Sequence, residues 1–191
     1  MKIPLRFQIT EFDCGAVSLL NCLSFLFDRE EIPAILVKKI YRYALDRSDK
    51  SGNQGNGGTS ERAVEKITEW LNDFSSEHRF NLVCEMLESE DVTREKIAKC
   101  LEQKGVVLVR LWQEVEHYII VTKITKKKVY IFDPYYMRKD HYRNDRDVRM
   151  VFNKPFSYNR VVSMKRFFSE SHKDFALGPI EKRECVLFNK H

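Results

Sequence analysis

The run from Ala16 to Phe27 constrains this chain more than any other stretch. Ala16, Val17, Leu19, Leu20, Cys22, Leu23, Phe25, Leu26 and Phe27 leave almost no polar side, and only Ser18, Asn21 and Ser24 interrupt them. Such a pattern predicts a helix buried nearly all round, with the remaining elements packed about it. It is too short and too interrupted to cross a bilayer. Cys14 and Gly15 stand at its mouth and Asp13 just before, in the place of an N-cap. Unpaired N–H groups and the positive end of the helix dipole favour a thiolate there. The bland alternative is that Cys14 is a small core residue.

A chain of 191 residues with 43% hydrophobic content suits one globular domain, 1–191. Met1-Lys2-Ile3-Pro4 leads into charged residues without an apolar segment, so no secretory signal is expected. The five cysteines, Cys14, Cys22, Cys84, Cys100 and Cys185, are odd in number and form no CxxC pair. That argues against a disulfide framework and a common zinc site. The expectation is a reducing, cytoplasmic setting with no cofactor and no metal. The net charge of +5 is modest for this length and does not require a nucleic-acid partner.

Along the chain, 34–45 reads as a second helix. Residues 46–60 hold four of the seven glycines, Gly52, Gly55, Gly57 and Gly58, and read as a flexible loop. This loop lacks the ending of a phosphate-binding loop. Thr59 or Ser60 can cap a helix over 61–74, where Val64, Ile67, Trp70, Leu71 and Phe74 recur at helical spacing. A strand is expected over 80–87 and a short helix over 93–103, ended by Gly105. The period then becomes that of strands at 106–112, 117–124 and 128–133, with two more at 160–164 and 184–188. Helices first and a mostly antiparallel sheet after them make the fold class α+β.

If Thr125 to Lys127 turns a hairpin, His117 and Asp133 come to lie opposite or diagonal across the ladder, about 5–8 Å apart at Cβ and on one face. A carboxylate so placed accepts from an imidazole N–H and stabilises the imidazolium. Taken singly, each has an ordinary explanation, His117 as a strand-start residue and Asp133-Pro134 as a turn initiator. Their conjunction with Cys14 favours catalysis. His78, His141 and His172 lie in charged or irregular stretches, and His191 ends the chain.

Gln8, five residues and then Cys14-Gly15 opening an apolar helix, with His-Tyr-Ile-Ile-Val and Val-Tyr-Ile-Phe-Asp-Pro far downstream, resembles the bacteriocin-processing, papain-like cysteine peptidases that remove double-glycine leaders. The likeness runs from about Phe7 to Pro134 in one order. It implies a papain-like fold in which Cys14 is the nucleophile, His117 the base and later the acid, Asp133 the residue orienting the ring, and Gln8 an oxyanion donor. It also implies a peptide or leader-peptide substrate cut after small residues such as Gly-Gly, and a separate transporter as partner. This chain shows no membrane or ATPase segment and is expected as a stand-alone domain.

Two other classes compete with a peptidase. The same triad serves an amidase or acyltransferase, and the fold can act as a noncatalytic peptide-binding domain. Retention of all four residues speaks against the last. The basic tract from Lys123 to Arg149 is interleaved with Tyr130, Tyr135, Tyr136 and Tyr142, a mixture that can bind single strands. Asp133, Asp140, Asp145 and Asp147 offset its charge, so nucleic acid is disfavoured.

Overall fold

The computed structural model describes residues 1–190; His191 lies outside the described residues. Five helices, α1 (Cys14–Leu26), α2 (Ala34–Ala44), α3 (Glu61–His78), α4 (Arg94–Glu102) and α5 (Met164–Phe167), pack on seven strands. The strands are β1 (Leu82–Glu88), β2 (Val106–Gln113), β3 (Val115–Ile124), β4 (Lys128–Phe132), β5 (Val148–Met150), β6 (Arg160–Ser163) and β7 (Glu184–Lys190). They form one sheet in the order β1-β7-β2-β3-β4-β6-β5, antiparallel at every step. The α+β expectation holds, and the sheet is wholly rather than mostly antiparallel.

Alternation along the strands separates two cores. Leu108, Tyr118, Ile120, Phe132, Val186 and Phe188 face α1, α2 and α3. Val107, Val109, Ile119, Val121, Ile131 and Leu187 turn the other way, toward Ile97 and Cys100 of α4, Phe167 of α5 and Phe175. As its all-round hydrophobicity predicts, α1 is the most enclosed helix, with 11 of its 13 residues buried. Each of its large aliphatic side chains contributes about 1.5–3 kcal/mol on burial.

The polar interruptions of α1 tie it to its surroundings. Ser18 Oγ donates to the Tyr118 carbonyl at 2.9 Å, one turn beyond Cys14 and one residue beyond His117. Asn21 brackets Arg6, accepting from its N–H at 2.8 Å and donating to its C=O at 2.9 Å. These bonds fix the N-terminal strap and β3 against the same helix. Buried polar groups without such partners would be costly.

Ser60 and Thr93 cap α3 and α4, accepting from Ala63 N at 3.0 Å and Lys96 N at 3.2 Å. The third helix runs on to His78, beyond the expected end at Phe74, and β1 starts at Leu82 rather than Phe80. The end of α4 also differs: Lys104 takes the left-handed conformation (φ 64°). Gly105 is required instead by contact, since a Cβ there would stand 2.6 Å from Cys100 Sγ. Two short elements, β5 and α5, were not expected.

Residues 46–60 contain neither helix nor regular strand, yet they form a hydrogen-bonded turn. A bridge pairs Ser48 with Gln54. The Arg47 carbonyl accepts from Gly55 N and Gly57 N, and the Asp49 carboxylate from Ser51, Asn53 and Asn56. Among the described residues no helix is long and apolar enough to cross a membrane.

Candidate active site

Cys14 opens α1 at 9% exposure, while His117 on β3 is 6% and Asp133, one residue past β4, 0% exposed. Asp13 does not cap this helix. Its carboxylate turns back to Thr10 N at 2.9 Å, Thr10 Oγ1 at 2.8 Å and Ile9 N at 3.2 Å, shaping the turn before the cysteine. As a result the N–H groups of Cys14, Gly15 and Ala16 have no partner among the described residues. They point at the space beside the sulfur with the positive end of the helix behind them.

A one-residue irregularity decides whether His117 and Asp133 can meet. Near the turn the hairpin pairs Ile124 with Val129 and Lys123 with Tyr130; beyond Thr122 it pairs Val121 with Ile131 and Ile120 with Phe132. Continued without that bulge, the first register would set Asp133 opposite Ile120 and on the other face from His117. The bulge sets it opposite Ile119, diagonal to His117 and on the same face. The expected diagonal is therefore present and Thr125 to Lys127 join β3 to β4 as expected, but the register beside them, Ile124 with Val129, is one residue off that of a simple three-residue turn. Thr125 N closes on Lys128 O at 2.8 Å, and the bulge restores the register.

His117 Nε2 lies 2.9 Å from Asp133 Oδ1. A carboxylate only accepts, so Nε2 carries the proton of this bond and Nδ1 is left for another partner. Burial, the largest single influence, disfavours the imidazolium, but the Asp133 hydrogen bond, the neighbouring Cys14 and the charges of both together outweigh it. The ring's pKa is raised to about 10. Burial likewise pushes the Asp133 carboxyl up, yet the His117 hydrogen bond and charge, then Arg160, hold it below the usual carboxylate range.

Three residues that sequence reasoning missed hold Asp133 in place. Arg160 Nη2 stands 3.5 Å from Oδ2 at 2% exposure, and Gln113 Nε2 donates to Oδ2 at 3.4 Å. Asn159 accepts from Asp133 N at 2.8 Å and returns a bond to its C=O at 2.7 Å. Arg160 was read as the start of a strand, which it is; its full burial had no sequence signal.

Gln8 reaches the site through its backbone, donating to Pro134 O at 2.9 Å. Its Nε2 donates to Thr10 O at 2.8 Å, leaving one amide hydrogen over, and its Oε1 is buried without a partner. Two cavities flank the group. One of about 430 Å³ is bordered by Gln8, Gln113, His117, Tyr135 and also His141, which the sequence gave no reason to choose. The other, of about 620 Å³, is bordered by Cys14, Thr59, Trp112 and Tyr118. Glu11 and Val115 border both, so the two cavities adjoin there. Two other histidines serve elsewhere: His78 stacks on Phe74 and His172 packs on Trp112. Among the described residues no cluster of three or more His, Cys, Asp or Glu is placed to hold a metal ion.

This arrangement has the parts for thiol acyl chemistry: a sulfur at a helix N-terminus, an imidazolium held by a buried carboxylate, and unpaired donors beside the sulfur. Residues 79–162 match the Peptidase C39 family model, a span that contains His117 and Asp133. A search of curated proteins finds no match. A solved double-glycine-motif protease from an AMS/PCAT transporter, crystallised in complex with the leader peptide, is similar at 15% identity and a TM-score of 0.48, covering 100% of this chain and 93% of that one. Over residues 79–162 the chain is similar to the Peptidase C39 family, in line with the cysteine-peptidase resemblance drawn from the sequence.

Proposed function

We propose that this chain, a cysteine peptidase by the Peptidase C39 match, cleaves a peptide after small residues, Gly-Gly foremost, with Cys14 as nucleophile, His117 as acid and base, Asp133 as the orienting carboxylate and Gln8 as an oxyanion donor. The observation that carries this reading is the Asp133 carboxylate on His117 Nε2, which leaves Nδ1 over, together with Cys14 near enough to raise the pKa of the same ring. A noncatalytic peptide binder has no use for that convergence.

In the first step the Cys14 thiolate attacks the scissile carbonyl carbon, and the carbonyl π electrons move onto oxygen. The resulting oxyanion sits between the Cys14 N–H, free at the head of α1, and the spare hydrogen of Gln8 Nε2. Collapse of this intermediate breaks the C–N bond, and the His117 imidazolium gives its proton to the leaving amine. Water then attacks the thioester while His117 takes its proton. A second collapse releases the carboxylic acid, and the sulfur leaves as thiolate. Asp133 remains ionised throughout and keeps Nε2 turned toward itself.

The substrate class, a peptide or leader peptide, follows from the family resemblance, as does a separate transporter as partner. Five unpaired, buried cysteines fit a reducing, cytoplasmic setting. The deciding experiment incubates the protein with a diglycine-containing peptide, with and without an added amine, and reads product masses. Hydrolysis after Gly-Gly that is abolished in Cys14→Ser is the expected result. An amine adduct in place of the acid would assign the same residues to acyl transfer. No product, together with iodoacetamide labelling of Cys14 no faster than of the other thiols, overturns the enzyme reading.

A further inference from the structure

Arg160 is the bulkiest side chain to be fully buried among the described residues. A guanidinium out of water is costly unless a carboxylate stands against it, and Arg160 Nη2 lies 3.5 Å from Asp133 Oδ2. Its hydrogen bonds go to main chain only: Nη1 donates to Asn159 O at 3.0 Å and Nη2 to Tyr135 O at 3.3 Å, while Nε has no partner. Two carbonyls compensate a buried cation poorly, so Asp133 is its counter-charge. Arg160 borders neither cavity of the site, and anything it does for the reaction passes through Asp133.

The two oxygens of Asp133 divide their partners. Oδ1 accepts from His117 Nε2 at 2.9 Å and Tyr135 N at 2.8 Å; Oδ2 faces Arg160, with Gln113 Nε2 at 3.4 Å. Next to these groups stand Cys14 beside His117, and Asp140 and the Tyr142 hydroxyl on the side of Arg160. Charge therefore alternates from neighbour to neighbour: Arg160 positive, Asp133 negative, His117 positive, Cys14 negative. The four sum to zero. Without Arg160 the other three carry a net negative charge in a buried place, and a buried carboxylate so placed is relieved by taking up a proton. A protonated Asp133 no longer stabilises the imidazolium. Once His117 has given its proton to the leaving amine, Arg160 is the cation left beside Asp133.

We propose that Arg160 is a positioning residue of the reaction, whose fixed charge keeps Asp133 ionised before and after His117 transfers its proton and so maintains the thiolate–imidazolium pair. This rests on the peptidase reading above and extends it to β6, behind the triad. Arginine suits the place because a guanidinium keeps its proton even when buried.

The test follows alkylation of Cys14 by iodoacetamide against pH, read by mass, in full-length wild type, Arg160→Gln and Arg160→Lys, with hydrolysis of a diglycine-containing peptide measured on the same preparations. Glutamine keeps a donor toward Tyr135 O and drops the charge. In Arg160→Gln the acid half-point of alkylation should rise by about one pH unit, the low end of what an opposite charge exerts on a carboxyl, so that on the acid limb Cys14 reacts about tenfold more slowly. Its kcat should fall with KM nearly unchanged. Arg160→Lys, which retains the charge, should keep the half-point of the wild type. A purely structural role lowers the rate at every pH and moves no half-point. An unmoved half-point in Arg160→Gln, or an equal rise in Arg160→Lys, overturns the inference, while hydrolysis by the wild type leaves the peptidase reading standing. If Arg160→Gln does not fold, Arg160→Gln/Asp133→Asn decides. A folded double variant ascribes the loss to an unpaired carboxylate, as the inference requires; an unfolded one assigns Arg160 to packing and overturns it. No hydrolysis by the wild type, with Cys14 labelled no faster than the other thiols, removes both readings.

Discussion

Ser18 and Tyr118 are joined by a 2.9 Å hydrogen bond from hydroxyl to carbonyl, across 100 residues of sequence. Ser18 lies one helical turn after Cys14 and Tyr118 directly follows His117, so this contact sets the spacing of the helix that bears the sulfur from the strand that bears the imidazole. Ser18→Ala is expected to cost about 1 kcal/mol and lower the thermal midpoint by about 2–4 °C in a chain of this size. Turnover should fall further than stability explains, and a melting curve with steady-state rates on one preparation checks both.

Gln8 is anchored by its backbone to Pro134, so its side chain can be shortened without releasing the strap. Gln8→Ala should slow turnover about 10²–10³-fold, the loss of one oxyanion donor, with an unchanged circular dichroism spectrum. Near-wild-type turnover would remove Gln8 from the mechanism.

Asp133→Asn separates orientation from charge. The asparagine carbonyl can still accept from His117 Nε2–H, so the ring stays turned correctly, but Arg160 loses its counter-charge in a site where it is 2% exposed. Breaking such a buried pair is expected to destabilise the protein by about 3 kcal/mol. The alkaline limb of the rate should also move to lower pH, because the group that most raises the His117 pKa is gone. Urea unfolding and a pH–rate profile measure the two effects.

The pH dependence of stability carries a definite sign. The folded pKa of His117, about 10, lies above its ordinary 6.5, so its contribution is complete below about 6.5 and is lost as pH rises through about 10. Asp133 is shifted below 3.8, so its contribution is present above that value and is lost as pH falls through the lower folded one. The stability gap between wild type and His117→Gln should therefore narrow toward pH 10, as followed by urea midpoints. A gap that is already closed near pH 7 contradicts the assignment of a protonated ring.

Gly15→Ala places a methyl group 2.3 Å from Thr59 Oγ1 and 2.6 Å from Thr59 Cβ, the root of a short side chain that cannot swing aside. Overpacking of this kind costs about 1–3 kcal/mol, and here it pushes residues 58–60 away from the cysteine. Adding Thr59→Gly should recover the lost stability, a rescue read from thermal midpoints of the single and double variants.

Local chemistry made much of this molecule legible in the sequence. All-round apolarity marked α1 as central, a capping hydroxyl at Ser60 started α3, and the change of period marked β2, β3 and β4. Short elements escaped: β5 has three residues and α5 four, too few to establish any period. So did the direction of Asp13, whose carboxylate had two sets of amides within reach and takes the preceding turn.

The sequence by itself determined that a thiol opens a buried helix and that an imidazole and a carboxylate flank a hairpin, since these depend on neighbours a few residues away. Only the tertiary structure decided that the three meet. The bulge at Thr122 chose the face on which Asp133 emerges, and pairing register depends on the whole ladder rather than on one strand. Arg160 came to lie beside Asp133 through burial, which is set by what the rest of the chain packs around it.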